Sequence, residues 1–272
     1  MPAVVEEGAA LEPGPPAPTR RRRWSRWHSA VGAITALGLA VRLAPVLAHP
    51  HLRAQGDAYF YHSEANLLVA GLGWINPFTY YPSNLHEHVP VASFPPLFTL
   101  VLAAASLVGA KSFLAHRIWC CVIGASACAL GAATGRTIAG RRVGLIAALL
   151  IAVYPNLWIS DGLGLSETLS PVVALAVLLA AYRFWQRPSL RQVVLLGTLI
   201  GAAALARDEM AALAVLILLP MVLVVPGPSR RRRLGLLAAG GLAAATVVAP
   251  WVGYNLTRFD KPVFISDGLG VT

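Results

Sequence analysis

Eight stretches of the chain are almost wholly apolar, and the short stretches between them hold nearly all of its charge. The apolar runs are His28–Ala48, Ser93–Ala110, Arg117–Thr134, Val143–Ser160, Thr168–Tyr182, Leu190–Ala206, Met210–Val225 and Leu234–Trp251. Each approaches the ~20 residues that an α-helix needs to cross the hydrocarbon of a bilayer. No water is available there to bind backbone amides, so continuous helices are the natural answer for runs this apolar. The pattern predicts an all-α, polytopic membrane protein.

The arginines decide which runs cross. Cytoplasmic loops of membrane proteins carry an excess of Arg and Lys. If all eight runs cross, Arg136, Arg141, Arg142 and Arg230–Arg233 fall outside. If Ser93–Ala110 does not cross, Arg20–Arg26, Arg136/Arg141/Arg142, Arg183/Arg187/Arg191 and Arg230–Arg233 all fall inside, together 15 of the 22 Lys and Arg. The expectation is therefore about seven spans and a cytoplasmic N-terminus. The Ser93–Ala110 run, which opens SFPPL, becomes a juxtamembrane helix of the outer interface, within a first outer loop of about residues 49–116. Three regions result: a disordered, basic cytoplasmic tail over 1–27, a transmembrane domain over 28–252, and the start of a further outer loop over 253–272. His28–Ala48 is long for a signal-peptide core, so it reads as an uncleaved first span. Arg42, near its outer end, is expected to snorkel.

This topology also sorts the acids. Glu6, Glu7 and Glu12 lie in the tail. Asp57, Glu64, Glu87, Asp161, Glu167, Asp208, Glu209, Asp260 and Asp267 all fall at the outer face or its boundary. Carboxylates at a membrane boundary are costly to keep, which makes the outer face the expected working face.

Composition closes off other classes. The chain is 57% hydrophobic and 12% charged, against about 25% charged in soluble domains. A net charge of +10 would suit a nucleic-acid binder, but the arginines sit in short clusters between apolar runs, and no nucleic acid is expected. Cys120, Cys121 and Cys128 share one apolar run and give neither a disulfide framework nor metal spacing. His49, His51, His62, His86 and His88 share the first outer loop. The spacing His86-Glu87-His88 is weak for zinc and fits a hydrated loop better. The sequon Asn255-Leu256-Thr257 is discounted as a chance match.

Within QGDAYFYHSEANLLVAGLGW, Gln55 to Trp74, a helix would place Asp57, Tyr61 and Glu64 at i, i+4 and i+7 on one face. Asp57 is also well placed to cap that helix, and Tyr59, Phe60 and Tyr61 suit an interfacial anchor. This stretch, the Pro-Pro segment ASFPPLFTLVLAAASLVGAKSFLAHR and the run GRRVGLIAALLIAVYPNLWISDGLGLSETL resemble, in order and spacing, the GT-C membrane glycosyltransferases. The resemblance is to the actinobacterial, protein O-mannosyltransferase-like members of glycosyltransferase family 39. ALARDEMAAL and APWVGYNLTRFDKPVFISDGLG look like that family's following outer loops.

The resemblance implies a reaction at the extracytoplasmic face of the plasma membrane. A hexosyl or pentosyl group leaves a polyprenyl-phosphate carrier and joins a protein or glycan acceptor. The leaving phosphate needs cationic stabilisation, and the acceptor hydroxyl needs a base. It implies Asp57 as general base or acceptor-positioning acid, and Glu167 as the second acid, with Asp161 its competitor. Tyr61 and Glu64 are candidates for substrate binding, Arg117 and Arg207 for phosphate contact, and Lys111 less so. Mg²⁺ or Mn²⁺, if used, would be shared by Asp57 and Glu167. The rival class is a non-catalytic membrane protein, a lipid-carrier transporter or envelope scaffold. A transporter should show ionisable residues in mid-span, and the spans from Arg117 onward are almost free of them. Because the sequence stops at DGLGVT inside an expected loop, an inactive N-terminal fragment is a third reading.

Overall fold

The computed structural model describes residues 20–82 and 86–267; of the disordered tail expected over 1–27, residues 1–19 lie outside them, and residues 20–27 instead form the first turns of the first helix, which continues into the apolar run. The helices are α1 (Arg20–Ala48), α2 (Gly56–Val69), α3 (Pro77–Tyr80), α4 (Pro96–Leu107), α5 (Phe113–Ala139), α6 (Arg141–Val153), α7 (Pro155–Leu163), α8 (Leu169–Gln186), α9 (Leu190–Ala206), α10 (Leu219–Val224) and α11 (Arg230–Leu256). Among the described residues the only β pairing is an isolated bridge between Ile75 and Pro90.

Four helices are long and apolar enough to cross a membrane, α1, α5, α8 and α11, and a fifth crossing exists if α6 and α7, bent by 49°, form one. Reaching seven requires counting also α9, with 17 residues, and the segment that follows it. That segment corrects one expectation. Met210–Val225 is not a single helix but a 3-10 turn (Asp208–Ala212), a π turn (Ala214–Leu218) and the six residues of α10. Pro220 has no N–H to give to Leu216, and the chain widens instead of continuing as α-helix. The α4 helix has 12 residues, roughly 18 Å at the α-helical rise, well short of a ~30 Å hydrocarbon core.

The long helices pack side by side, α1 on α5, α5 on α6 and α8, α8 on α9, and α9 on α11; α8 runs parallel to α5, and α11 parallel to α9. Their arginine-bearing ends gather. The Arg136 guanidinium lies over the Trp27 ring at 4.5 Å, Gln186 donates to the Thr137 carbonyl, and Arg233 donates to the Val225 carbonyl. The described carboxylates occupy the other end. Small residues let the backbones approach. A Cβ on Gly197 would strike the Gly240 carbonyl, and one on Gly201 would meet Ala244. This is small-residue spacing at i and i+4 on both α9 and α11, the usual device of membrane helix pairs.

Arg42 does not snorkel. It is wholly buried, its Nε bonded to Asp161 Oδ2 at 2.6 Å. Nη1 donates to the carbonyls of Gly38 and Ala152, and Nη2 to that of Ile151. The cause lies at Pro155. In a continuous helix the Ile151 carbonyl would accept from the N–H of residue 155, which proline lacks, and Tyr154 turns extended ahead of it. Arg42 takes the carbonyls this break leaves open. Asp161 reaches Arg42 across the face of Gly124, where any Cβ would overlap its carboxylate. Removing one partner of a buried ion pair leaves an uncompensated charge. Arg42→Met or Asp161→Asn alone should each lower stability by about 3–5 kcal/mol in a detergent unfolding titration. The double variant Arg42→Met/Asp161→Leu should recover much of that loss, and unchanged stability in both single variants would contradict the pairing.

Candidate functional site

The α2 helix starts at Gly56, whose φ of +54° is in the left-handed region that glycine tolerates. The residue at the cap position is Gln55, and it makes no side-chain capping bond. Asp57 therefore is not the cap. It is exposed in the first turn, where the helix dipole favours an anion. The residues beside it correct the anchor reading. Phe60 and Tyr61 are buried, and Tyr61 packs on Phe94 and Phe98 at 4.8 and 4.9 Å between ring centres.

Tyr61 is where two distant parts of the chain meet. Its pKa is raised, first by burial and then by the charges of Asp57, Glu167 and Glu64, while Ser166 within hydrogen-bonding reach pulls the other way. It stays a neutral phenol, able to donate. Glu167, in the 3-10 turn Ser166–Thr168, is exposed and pairs with Arg207 Nη1 at 3.1 Å; Arg207 Nε also holds Glu209. Next to this cluster the Ser266 hydroxyl donates to Asp208, and the Asp267 N–H donates to the Ala92 carbonyl. Asp57, Tyr61, Glu167 and Arg207 are thus brought to one end of the molecule.

The other expected site residues stand apart. Glu64 is buried and accepts from the Thr99 hydroxyl at 2.7 Å. Burial pushes its carboxyl up to about 8, against the opposing effects of Thr99 and Arg258. Asp161 is sealed against Arg42. Arg117 is buried, with Nε on the Gly162 carbonyl at 2.6 Å and Nη1 on the His49 carbonyl at 2.8 Å. It edges a small apolar cavity of about 200 Å³ between α1 and α7. Lys111 is exposed, and its carbonyl accepts from Asn66.

Three residues were not anticipated. Arg258 joins the first outer loop to the end of α11. It donates to the Trp74 and Val91 carbonyls at 3.0 and 2.7 Å and lies against Trp251, Tyr254 and Phe259. The signal was an arginine among aromatics just past an apolar run. His116 and Ser106 extend from His62 as a hydrogen-bonded chain: His62 to His116 at 3.0 Å, His116 to Ser106 at 2.8 Å, and Ser106 donating to Asn66 at 2.8 Å. Burial lowers the pKa of His62. Asp57 and Glu167 have the oxygen chemistry that Mg²⁺ or Mn²⁺ prefers. Among the described residues no three His, Cys, Asp or Glu converge on one point.

Residues 93–254, more than half of the chain, match the family model for dolichyl-phosphate-mannose-protein mannosyltransferase. Glu167 and Arg207 fall inside the matched range, and Asp57 and Tyr61 precede it. No curated protein matches the sequence. The fold is similar to the crystal structure of the Archaeoglobus fulgidus oligosaccharyltransferase in the apo form. The identity is 20% and the TM-score 0.63, covering 88% of this chain and 31% of that one. It is also similar to archaeal oligosaccharyltransferase AglB from Archaeoglobus fulgidus in complex with an inhibitory peptide and a dolichol-phosphate. There the identity is 20% and the TM-score 0.65, covering 90% of this chain and 31% of that one. The chain thus spans about a third of the length of these solved structures.

The state of Glu64 has a measurable consequence. Between the ordinary value of 4.5 and about 8, the unfolded chain has lost this proton and the folded chain keeps it. Stability therefore falls as pH rises through that window. The thermal midpoint in detergent should drop from pH 5 to pH 8 more in the wild type than in Glu64→Gln. The same drop in both would show that Glu64 is ionised in the fold.

Proposed function

The chain belongs to the dolichyl-phosphate-mannose-protein mannosyltransferase family, and from that membership we propose that it serves transfer of a sugar from a polyprenyl-phosphate donor to a hydroxyl of a protein or glycan acceptor. The observation that carries this reading is the exposed Glu167–Arg207–Glu209 cluster, at the end of the bundle that also exposes Asp57 and lies away from the arginine clusters. By the positive-inside rule that end faces the extracytoplasmic side of the plasma membrane, with the N-terminus in the cytoplasm. The dolichol-phosphate and peptide named for one structural relative support a lipid phosphate and a peptide as the two substrates. The family's description names mannose, the first sugar to test.

In the proposed step the acceptor hydroxyl attacks the anomeric carbon as the bond from that carbon to the phosphate oxygen breaks. Asp57, exposed and free of a capping bond, takes the hydroxyl proton. The phosphate leaves with its lipid and gathers negative charge, and the Arg207 guanidinium is positioned to meet it. Glu167 and Glu209 hold Arg207 from two sides. Tyr61, kept neutral by burial, leaves a phenol hydroxyl available to the substrates there. A divalent ion, if bound, would be held by Asp57 and Glu167 and would add positive charge beside the phosphate; no step here is routed through it. Arg117 and Asp161 support the outer ends of α1, α5 and α7.

In membranes supplied with polyprenyl-phosphate mannose, Asp57→Asn should lower transfer by about 10²–10⁴-fold, the usual worth of a general base. Equal transfer by variant and wild type would remove Asp57 from the chemistry. For the topology, single cysteines placed at Ser93 and Ala110 should both be labelled by an impermeant reagent from outside. Labelling of the second only after permeabilisation would mean that α4 crosses.

A further inference from the structure

We propose that the basic end of the bundle binds an anionic phospholipid, with its headgroup on Arg187 and Arg230 and an acyl chain in the groove between α8 and the 214–224 segment. The groove has a volume of about 590 Å³. One wall is Leu178, Tyr182 and Trp185 of α8, and the other is Leu216, Pro220 and Val224. It exists because Pro220 and the π turn replace what would have been a straight helix packed along α8. Trp185 and Val224, at its lower lip, belong to the last turns of α8 and α10.

Beyond the ends of α8 and α10 the chain turns basic. Leu223, Pro228, Arg230 and Arg233 enclose a second depression of about 440 Å³, and Arg183 and Arg187 flank the end of α8. Arg233 is committed to the Val225 and Pro228 carbonyls. Arg183, Arg187 and Arg230 have no side-chain partner among the described residues, and every described carboxylate lies at the opposite end. An apolar slot whose two walls end just ahead of unpaired guanidinium groups, Arg187 after α8 and Arg230 after α10, complements a molecule with a hydrocarbon chain and a negative head. Anionic phospholipids of the surrounding leaflet have that form, and each nearby Arg favours them. The inference does not depend on the transferase reading, because its readout is lipid contact and not transfer.

Trp185, 39% exposed, reports on the groove. The purified chain is placed in phosphatidylcholine vesicles carrying increasing fractions of acyl-brominated phosphatidylglycerol or acyl-brominated phosphatidylcholine. Quenching of Trp185 is read as the difference between the wild type and Trp185→Phe. Half-maximal quenching should need roughly tenfold less brominated phosphatidylglycerol than brominated phosphatidylcholine, for two arginines. In Arg187→Gln/Arg230→Gln the two lipids should quench alike. Equal quenching by both lipids in the wild type overturns the proposal without any arginine variant. So does a preference that survives the double substitution, or a Trp185 that neither lipid reaches because another helix or a second copy fills the groove.

Discussion

A membrane interior leaves no backbone polar group without a partner at low cost, and the outer end of the molecule is organised around a place where its helices fail to meet that demand. Pro155 breaks the span formed by α6 and α7 and strips the Ile151 carbonyl of its donor. Arg42, from the first helix, fills the gap, and Asp161 neutralises it across Gly124. Arg117 then takes the carbonyls of Gly162 and His49. The outer ends of α1, α5 and α7 are fixed to one another by two buried guanidinium groups. The turn that follows α7 is thereby held where Ser166 reaches Tyr61 and Glu167 reaches Arg207.

The same segregation that lets the chain live in a bilayer sets out its chemistry. Arginines gather at one end and carboxylates at the other, so the acidic end holds exposed acids, a neutral phenol and one guanidinium shared by two glutamates. These are the groups needed to accept a proton and to meet a departing phosphate. Arg258 closes this end from the far side, clamping the first outer loop to α11 through backbone carbonyls and three aromatic rings.

The large features were legible in the sequence because they rest on length and charge. The apolar runs mark the helices, and the distribution of arginines sets the Pro-Pro run apart as the one expected not to cross. Asp57 and Glu167 were both singled out, yet nothing in their spacing showed that Tyr61 would lie near both; that meeting is tertiary. Arg42 and Asp161 were misjudged for the same reason. Alone, each looks like a boundary charge reaching for water, and only the packing of α1 against the broken span makes them partners. Met210–Val225 reads as one span by hydropathy, which is blind to what Pro220 does to the backbone. Tyr61 reads as an anchor by residue type, although the phenylalanines of the Pro-Pro segment draw it inward.

The central claim is that the acidic end, built by α2 and the turns after α7 and α9, receives the lipid-linked phosphate. A polyprenyl-phosphate analogue with a photoreactive group next to the phosphate tests this directly, with the cross-linked peptides mapped after illumination. Adducts should fall within residues 55–64, 161–170 and 205–213. Adducts confined to the basic end, within residues 183–191 and 226–234, would contradict the account.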